Sequence, residues 1–402
     1  MATIRHAYYR AYQGIMKLAA HFLDFTPPRL LSGPGSVLTL PALIKEKGFS
    51  AVLVVSDKGL SALGILKPFL NGLEQAGVAY ALFDDVQANP TIGNIEDGLS
   101  LYKERGCRAL VAFGGGSPMD CAKGIAARAA NPRASVSRLR GLLRVARRPV
   151  PLFAVPTTAG TGSETTIAAV ITDPSTHEKY AINDPKLIPP YAVLDPQLTV
   201  GLPPAITATT GMDALTHAVE AYVGRSNTAL TIEMAEKATA LIFANVERAY
   251  KDGKDMEARE NMLTAAHYAG IAFTRAYVGY VHAIAHNMGG LYGVPHGLAN
   301  AVILPYVLDF FVPAANEALA RLAAIAGVTK PGMQSQEKAQ AFIAEIRAMN
   351  ARMGIPTTIA GLKEEDFPLI IQRAFREAHP LYPVPRFMEA SDCEAILRRL
   401  LP

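Results

Sequence analysis

The chain has 402 residues, half of them apolar and 18% charged, with a formal net charge of +4. That length exceeds one ordinary core, so two domains are expected, and the composition excludes a disordered, collagenous or disulfide-scaffolded chain. The small charge argues neither for nor against an acidic partner, no apolar run reaches the roughly eighteen residues of a bilayer span, and Cys107, Cys121 and Cys393, odd in number and without CxxC spacing, fit a reducing cytoplasm.

In chain order the first expected element is an N-terminal arm over 1–30. Within 3–25, Ile4, Tyr8, Ile15, Leu18, Phe22 and Phe25 recur near helical spacing, with Arg5, Arg10 and Lys17 among them. The stretch has no continuous apolar core and no small-residue cleavage site, so it does not read as a signal peptide. It is expected to be an amphipathic helix packed on its own protein, with attachment to a membrane surface the weaker alternative. Pro27, Pro28, Gly33, Pro34 and Gly35 punctuate its end.

From there strands at 51–55, 78–83 and 109–113 alternate with helices at 59–76, 91–105 and 117–130, followed by strands at 152–155 and 167–172. That alternation implies a Rossmann-like parallel sheet flanked by helices, an α/β dinucleotide-binding domain over 31–203. Beyond a boundary at 202–204, Ala, Leu, Met and Glu dominate with helical periodicity, so 204–402 is expected to be all-helical. Arg133, Arg138, Arg140, Arg144, Arg147 and Arg148 crowd the span between two α/β elements. They read as a solvated surface loop or short helix, and the lack of interleaved aromatics argues against nucleic acid.

Three loops in the α/β half suit a phosphate-bearing ligand. Gly114, Gly115 and Gly116 end a strand and open a helix whose first N–H groups would face an anion. Ser117 either caps that helix or touches phosphate, and Asp120 fits its first turn. The spacing is not GxGxxG, so the usual Rossmann fingerprint is absent. PTTAGTGSE at 156–164 sets Thr157, Thr158, Thr161 and Ser163 at the carboxyl end of a strand, where open α/β sheets bind ligands. Asp57, after the first strand, would accept from a ribose 2′-hydroxyl and repel a 2′-phosphate, favouring NAD over NADP.

The helical half carries a second constellation. Asp213 and His217 in GMDALTHAVE (211–220) are four residues apart, as are His282 and His286 in VHAIAHNMGG (281–290), and His296 follows beside Pro295 and Gly297. On a helix each such pair projects from one face. A carboxylate with two or three imidazoles suits ferrous iron or zinc, with a coordination position left for substrate.

Together these motifs resemble the iron-containing, or group III, alcohol dehydrogenase family. VSDKGL at 55–60, NPT at 89–91, GGGSPMD at 114–120, PTTAGTGSE at 156–164, DPQLTVGLP at 195–203, GMDALTHAVEAY at 211–222 and HAIAH…PHG at 282–297 carry it, from about residue 31 to the C-terminus. The resemblance implies a dehydroquinate synthase-like architecture with a metal in a cleft between the halves, held by Asp213, His217, His282 and His296. His286 would stand near substrate and nicotinamide with a part in proton transfer. Cofactor positions implied are Asp57, Asn89, Gly115, Gly116, Ser117, Asp120, Thr157, Thr158 and Lys179. The implied activity is reversible hydride transfer between a primary alcohol, diol or hydroxyacid and NAD, with Fe2+ or alternatively Zn2+. The partners implied are a small alcohol or aldehyde and a second copy of the chain. A polyol or a hydroxyacid–semialdehyde substrate is the alternative, because Arg275, Tyr277 and Tyr280 stand before the HAIAH helix where the family often carries Asn and small residues. A ring-forming phosphate elimination and an inactive scaffold that binds membranes through the arm are the rival functions. The intact ligand and cofactor motifs count against both.

Overall fold

A computed structural model describes residues 2–175 and 178–402, without the side chains of Ala2 and Thr3. Met1, at the head of the expected arm, lies outside the described residues. The chain forms two compact units, Asp24–Gly201 and, separately, the residues up to Leu23 together with Leu202–Pro402. The arm is thus part of the helical unit. It is one helix, α1 (Ala2–Ala19), extended by a 3-10 turn to Phe22.

The α/β unit comprises β1 (Arg29–Ser32), α2 (Leu40–Glu46), β2 (Ala51–Val55), α3 (Lys58–Ala62), α4 (Lys67–Gln75), β3 (Ala79–Phe83), α5 (Ile92–Glu104), β4 (Ala109–Gly114), α6 (Gly116–Ala130), β5 (Gly141–Leu142), β6 (Leu152–Pro156), β7 (Ala168–Asp173), β8 (Glu178–Asn183) and β9 (Tyr191–Leu194). Six strands pair in parallel in the order β1-β9-β6-β4-β2-β3. Both faces are covered, which is why the strand sequences read as continuous apolar runs. Leu53, Val55, Leu110, Ala112, Leu152 and Ala154 pack with α5 and α6. Their sequence neighbours Val52, Val54, Val111, Phe153 and Val155 face the other way, against Ile44, Phe69 and Leu73 of α2 and α4.

Several expectations needed correction. The helix at 59–76 is two helices, because Pro68, with no N–H to donate, opens α4 and Gly64 (φ +70°) turns the chain before it. The strand at 167–172 is β7, which pairs antiparallel with β8 in a separate sheet ordered β5-β8-β7. Its alternating burial is what a half-covered sheet requires. β1 and β9, four residues each beside prolines, are too short to show a period.

The helical unit adds α7 (Pro204–Val223), α8 (Ala229–Lys251), α9 (Met256–Ala276), α10 (Tyr280–Tyr292), α11 (His296–Ile325), α12 (Ser335–Arg352), α13 (Phe367–Ala378) and α14 (Ala390–Arg399). Pro204 occupies the first turn of α7, where its missing N–H costs nothing. Thr228 and Asp255 cap α8 and α9, each accepting an orphan N–H of its helix. α7 is buried over most of its length, as a central helix must be. Contrary to the reading of apolar runs above, α11 is long and apolar enough to cross a membrane by length and composition, and 61% of that stretch is buried within the protein. It is a core helix, kinked at Ala315 just past Pro313.

The arm docks by its polar and aromatic side. Arg5 pairs with Glu389 at 2.6 Å. The buried Gln13 amide donates to the carbonyls of Pro380 and Tyr382 at 2.9 and 2.8 Å. Tyr9 stacks on His379 with ring centres 4.8 Å apart.

Candidate metal centre and cofactor loops

Three helix segments of one unit build the metal-competent cluster. α7 aims Asp213, His217 and Glu220 from one face, α10 aims His282, and α11 begins at His296. The close approach of α11 to α7 requires a glycine: a Cβ on Gly297 would lie 2.5 Å from the Thr209 carbonyl. One ligand atom each of Asp213, His217, His282 and His296 lies within 4.8 Å of the other three.

The surroundings fix the His282 imidazole in the state a cation needs. Glu220 is buried and accepts N–H bonds from Gly279 and Val281 at 2.9 and 2.7 Å. Its Oε2 lies 2.6 Å from His282 Nδ1. With Nδ1–H donated to Glu220, the His282 lone pair sits on Nε2, facing the cluster. Burial, reinforced by the other imidazoles, drives the His282 pKa well below its ordinary value, so the ring is neutral. Burial also raises Glu220 to about 7, against the pull of those backbone donors.

Asn300, one turn past His296, tests the fit. Its amide nitrogen lies 2.7 Å from Asp213 Oδ1 and 3.1 Å from both His282 Nε2 and His296 Nε2. An –NH2 group has only two hydrogens to give. Three acceptors converging on one electropositive group mark a point that a divalent cation would satisfy better, and the oxygen and nitrogen donor set suits iron or zinc. The residues therefore fit a metal.

His286 lies beside this cluster rather than in it. Its ring stacks on His296 with centres 5.2 Å apart, and its Nδ1 lies 2.8 Å from Glu377 Oε1. Tyr382 O–H donates to the same carboxylate oxygen at 2.8 Å. Burial pushes Glu377 upward, but His286 and Tyr382 outweigh it and hold the carboxyl below its ordinary range. Arg275 and Tyr277 instead line a small recess with Lys17 of α1 and His21 of the 3-10 turn that extends it. The buried Tyr280 has its hydroxyl 2.6 Å from His379 Nε2 and accepts Met388 N–H at 3.0 Å. The residues that depart from the family pattern therefore lie at the arm's docking surface.

In the α/β unit the cofactor candidates gather at the carboxyl ends of β2, β4 and β6, which are neighbours in the sheet. Gly114 takes φ +154° where β4 turns into α6, and a Cβ there would lie 2.6 Å from Pro118. Gly115 and Gly116 abut the second loop, since added Cβ atoms would lie 3.4 Å from Thr158 Oγ1 and 3.1 Å from Thr161. Thr157 is buried and donates its N–H to the Gly114 carbonyl at 3.1 Å. Ser117 Oγ accepts Asn89 N–H at 3.2 Å, and Lys179 Nζ donates to Asn89 Oδ1 at 2.8 Å, so these three form one chain. Asp57 caps α3 by accepting Leu60 N–H at 3.0 Å.

Asp120 does a different job from its neighbours. Its two oxygens accept Ser163 O–H and Val170 N–H at 3.0 and 3.1 Å, which ties α6 to the second loop. Desolvation lifts it to about 6 despite nearby Lys123. Lys123, fully buried, donates to Ser163 and Thr166 through backbone and hydroxyl oxygens and to the Ala168 carbonyl, at 2.7 to 3.2 Å. Burial lowers its pKa to about 8.

Sequence reasoning missed Glu220, Asn300, Glu377 and Lys123. Two carried a usable signal: Glu220 is one turn beyond His217 on the same helical face, and Asn300 stands four residues after His296. Glu377 is far along the chain from His286 and carried none.

Residues 27–196 match the model of iron-containing alcohol dehydrogenase, and 207–401 match that of the Fe-containing alcohol dehydrogenase family, C-terminal. The chain is 38% identical over 387 residues to 1,3-propanediol dehydrogenase of Klebsiella pneumoniae, covering 95% of this chain and 100% of that one. It is 37% identical over 379 residues to the NAD-dependent methanol dehydrogenase of Bacillus methanolicus, covering 94% and 99%. A crystal structure of 1,3-propanediol oxidoreductase superposes with a TM-score of 0.91 at 37% identity, covering 94% of this chain and 100% of that one.

Proposed function

The chain belongs to the iron-containing alcohol dehydrogenase family, and from that premise we propose that it is a NAD-linked, iron-dependent oxidoreductase interconverting short primary alcohols or diols with their aldehydes. The observation that carries this reading is the convergence of Asp213, His217, His282 and His296 within 4.8 Å. These four would hold the cation, with Glu220 fixing the tautomer of His282. When bound, a divalent ion there supplies Lewis-acid polarisation of an alcohol or carbonyl oxygen.

The protein's own groups do the rest. The glycine turn after β4 and the amino end of α6 would receive the dinucleotide pyrophosphate, and the carboxylate of Asp57 favours NAD by repelling a 2′-phosphate. His286, oriented by Glu377, would carry the alcohol proton toward solvent. Arg275, in its recess beside α1, lends no support to a substrate carboxylate, so the hydroxyacid alternative is the weaker one. The protein is further read as a homo-oligomer, by family resemblance, and as residing in a reducing cytoplasm, since its three cysteines are free and buried.

The test is NADH formation over a panel of alcohols and diols, assayed anaerobically before and after chelation and reloading with Fe2+ or Zn2+. His282→Ala is expected to lose bound metal and turnover together. Full turnover in metal-free His282→Ala would remove the Lewis-acid role.

A further inference from the structure

The arm leaves one face uncovered. His6, Tyr9, Gln13 and Lys17 turn toward the helical unit. Ile4, Tyr8, Ile15, Leu18 and Phe22 are 77, 59, 67, 65 and 85% exposed. Ala11, also exposed, completes the row. These positions are spaced four, three, four, three and four apart, the 3.5-residue period of a helix–helix seam rather than the broader face of a helix covering a globular core. Contiguous apolar patches on a monomer mark interaction surfaces.

We infer that this row pairs with α1 and its 3-10 extension in a second copy of the chain, running antiparallel. The spacing reads the same from either end, so a two-fold axis lays Ile4 on Phe22, Tyr8 on Leu18 and Ala11 on Ile15 of the other copy. A parallel pair would set Phe22 on Phe22 and leave Ala11 facing Ala11. The uncovered side chains offer about 600 Å² per copy if each large one presents roughly 150–200 Å², close to the ~800 Å² per partner of a stable interface.

Charge separates this occupant from an anionic lipid surface. Arg5 is spent on Glu389, Arg10 lies 4.1 Å over the Phe387 ring, and Lys17 reaches the Arg225 carbonyl. The cations of α1 therefore turn toward the protein instead of bordering the apolar row, where a membrane-surface helix carries them. The row also precedes the family-matched residues 27–196 and 207–401, so it is an addition to the shared body. The inference is independent of the catalytic reading, and its interface lies outside the body that carries the family resemblance.

Light scattering of the full-length, metal-loaded protein tests it. The double variant Ile15→Glu, Leu18→Glu is expected to have about half the parent's particle mass, with turnover and metal content unchanged because neither side chain packs on its own protomer's core. An oxidised mixture of Tyr8→Cys and Leu18→Cys chains is expected to give a disulfide-linked dimer that neither gives alone. Unchanged mass, absence of the mixed dimer, or sedimentation of the parent but not the variant with phosphatidylserine vesicles would each overturn the pairing. Activity loss without a change in mass would count against it as well, and would point instead to the catalytic unit.

Discussion

Glu220 Oε2 stands 2.6 Å from His282 Nδ1 while the same carboxylate accepts two backbone N–H groups at the start of α10. One side chain thus fixes both the tautomer of a ligand and the position of the helix that carries it. Glu220→Gln keeps the size but replaces one acceptor oxygen with a donor. Metal affinity is expected to fall by about 10–100-fold, measured by competition with a chromogenic chelator. Unchanged affinity would show that backbone packing alone orients His282.

Asn300 makes a complementary prediction. Asn300→Asp sets a second carboxylate against Asp213, whose oxygen now accepts the Asn300 amide at 2.7 Å. The chelator-treated protein is expected to lose about 1.5–3 kcal/mol, the worth of a hydrogen bond to a charged group, while its melting temperature rises further on adding Zn2+ than the parent's does. Equal metal-induced shifts in the two proteins would contradict the placement of Asn300 at the convergence point.

Acid should loosen the docking of the arm. Burial lowers His379 from 6.5 to about 4, and its Nε2, as a neutral acceptor, takes the Tyr280 hydroxyl at 2.6 Å. Because the folded value is depressed, the unfolded chain binds a proton between about 6.5 and 4 that the folded chain refuses. The contribution is complete above pH 6.5 and is lost as pH falls toward 4. His379→Gln retains an acceptor without the titration, so its melting temperature should drop less than the parent's over that window. Parallel curves would assign the acid sensitivity to other groups.

Asp57→Asn isolates charge from capping. Asparagine caps a helix about as well as aspartate, so the bond to Leu60 N–H at 3.0 Å should survive. Removing the negative charge is expected to raise kcat/KM for NADP relative to NAD by about 5–100-fold, the range of one charge interaction near a protein surface. An unchanged cofactor ratio would move the discrimination to another residue.

The central strands were readable from sequence because burial on both faces makes each a continuous apolar run. The expected strand at 51–55 coincides with β2 (Ala51–Val55), and the parallel sheet emerged from the alternation of elements. The reading of 167–172 as a member of that sheet failed because alternation reports a half-buried face and not the partner strand. Asp213, His217, His282 and His296 stood out since four-residue spacing on a helix is a local signal. The partnership of His286 with Glu377 is set by how α10 packs on α13, which no local pattern encodes. Asp120, expected in the first turn, is instead the fifth residue of α6, which has no acidic residue in its first turn, and its oxygens are tied to Ser163 and Val170, a role that depends on where the second loop folds back.

The buried ammonium of Lys123 is the knot that joins the helix after the first glycine turn to the end of the second loop and the start of β7. The two loops are consequently one mechanical part. Whatever stiffens or distorts the first is transmitted to the second through that single ammonium.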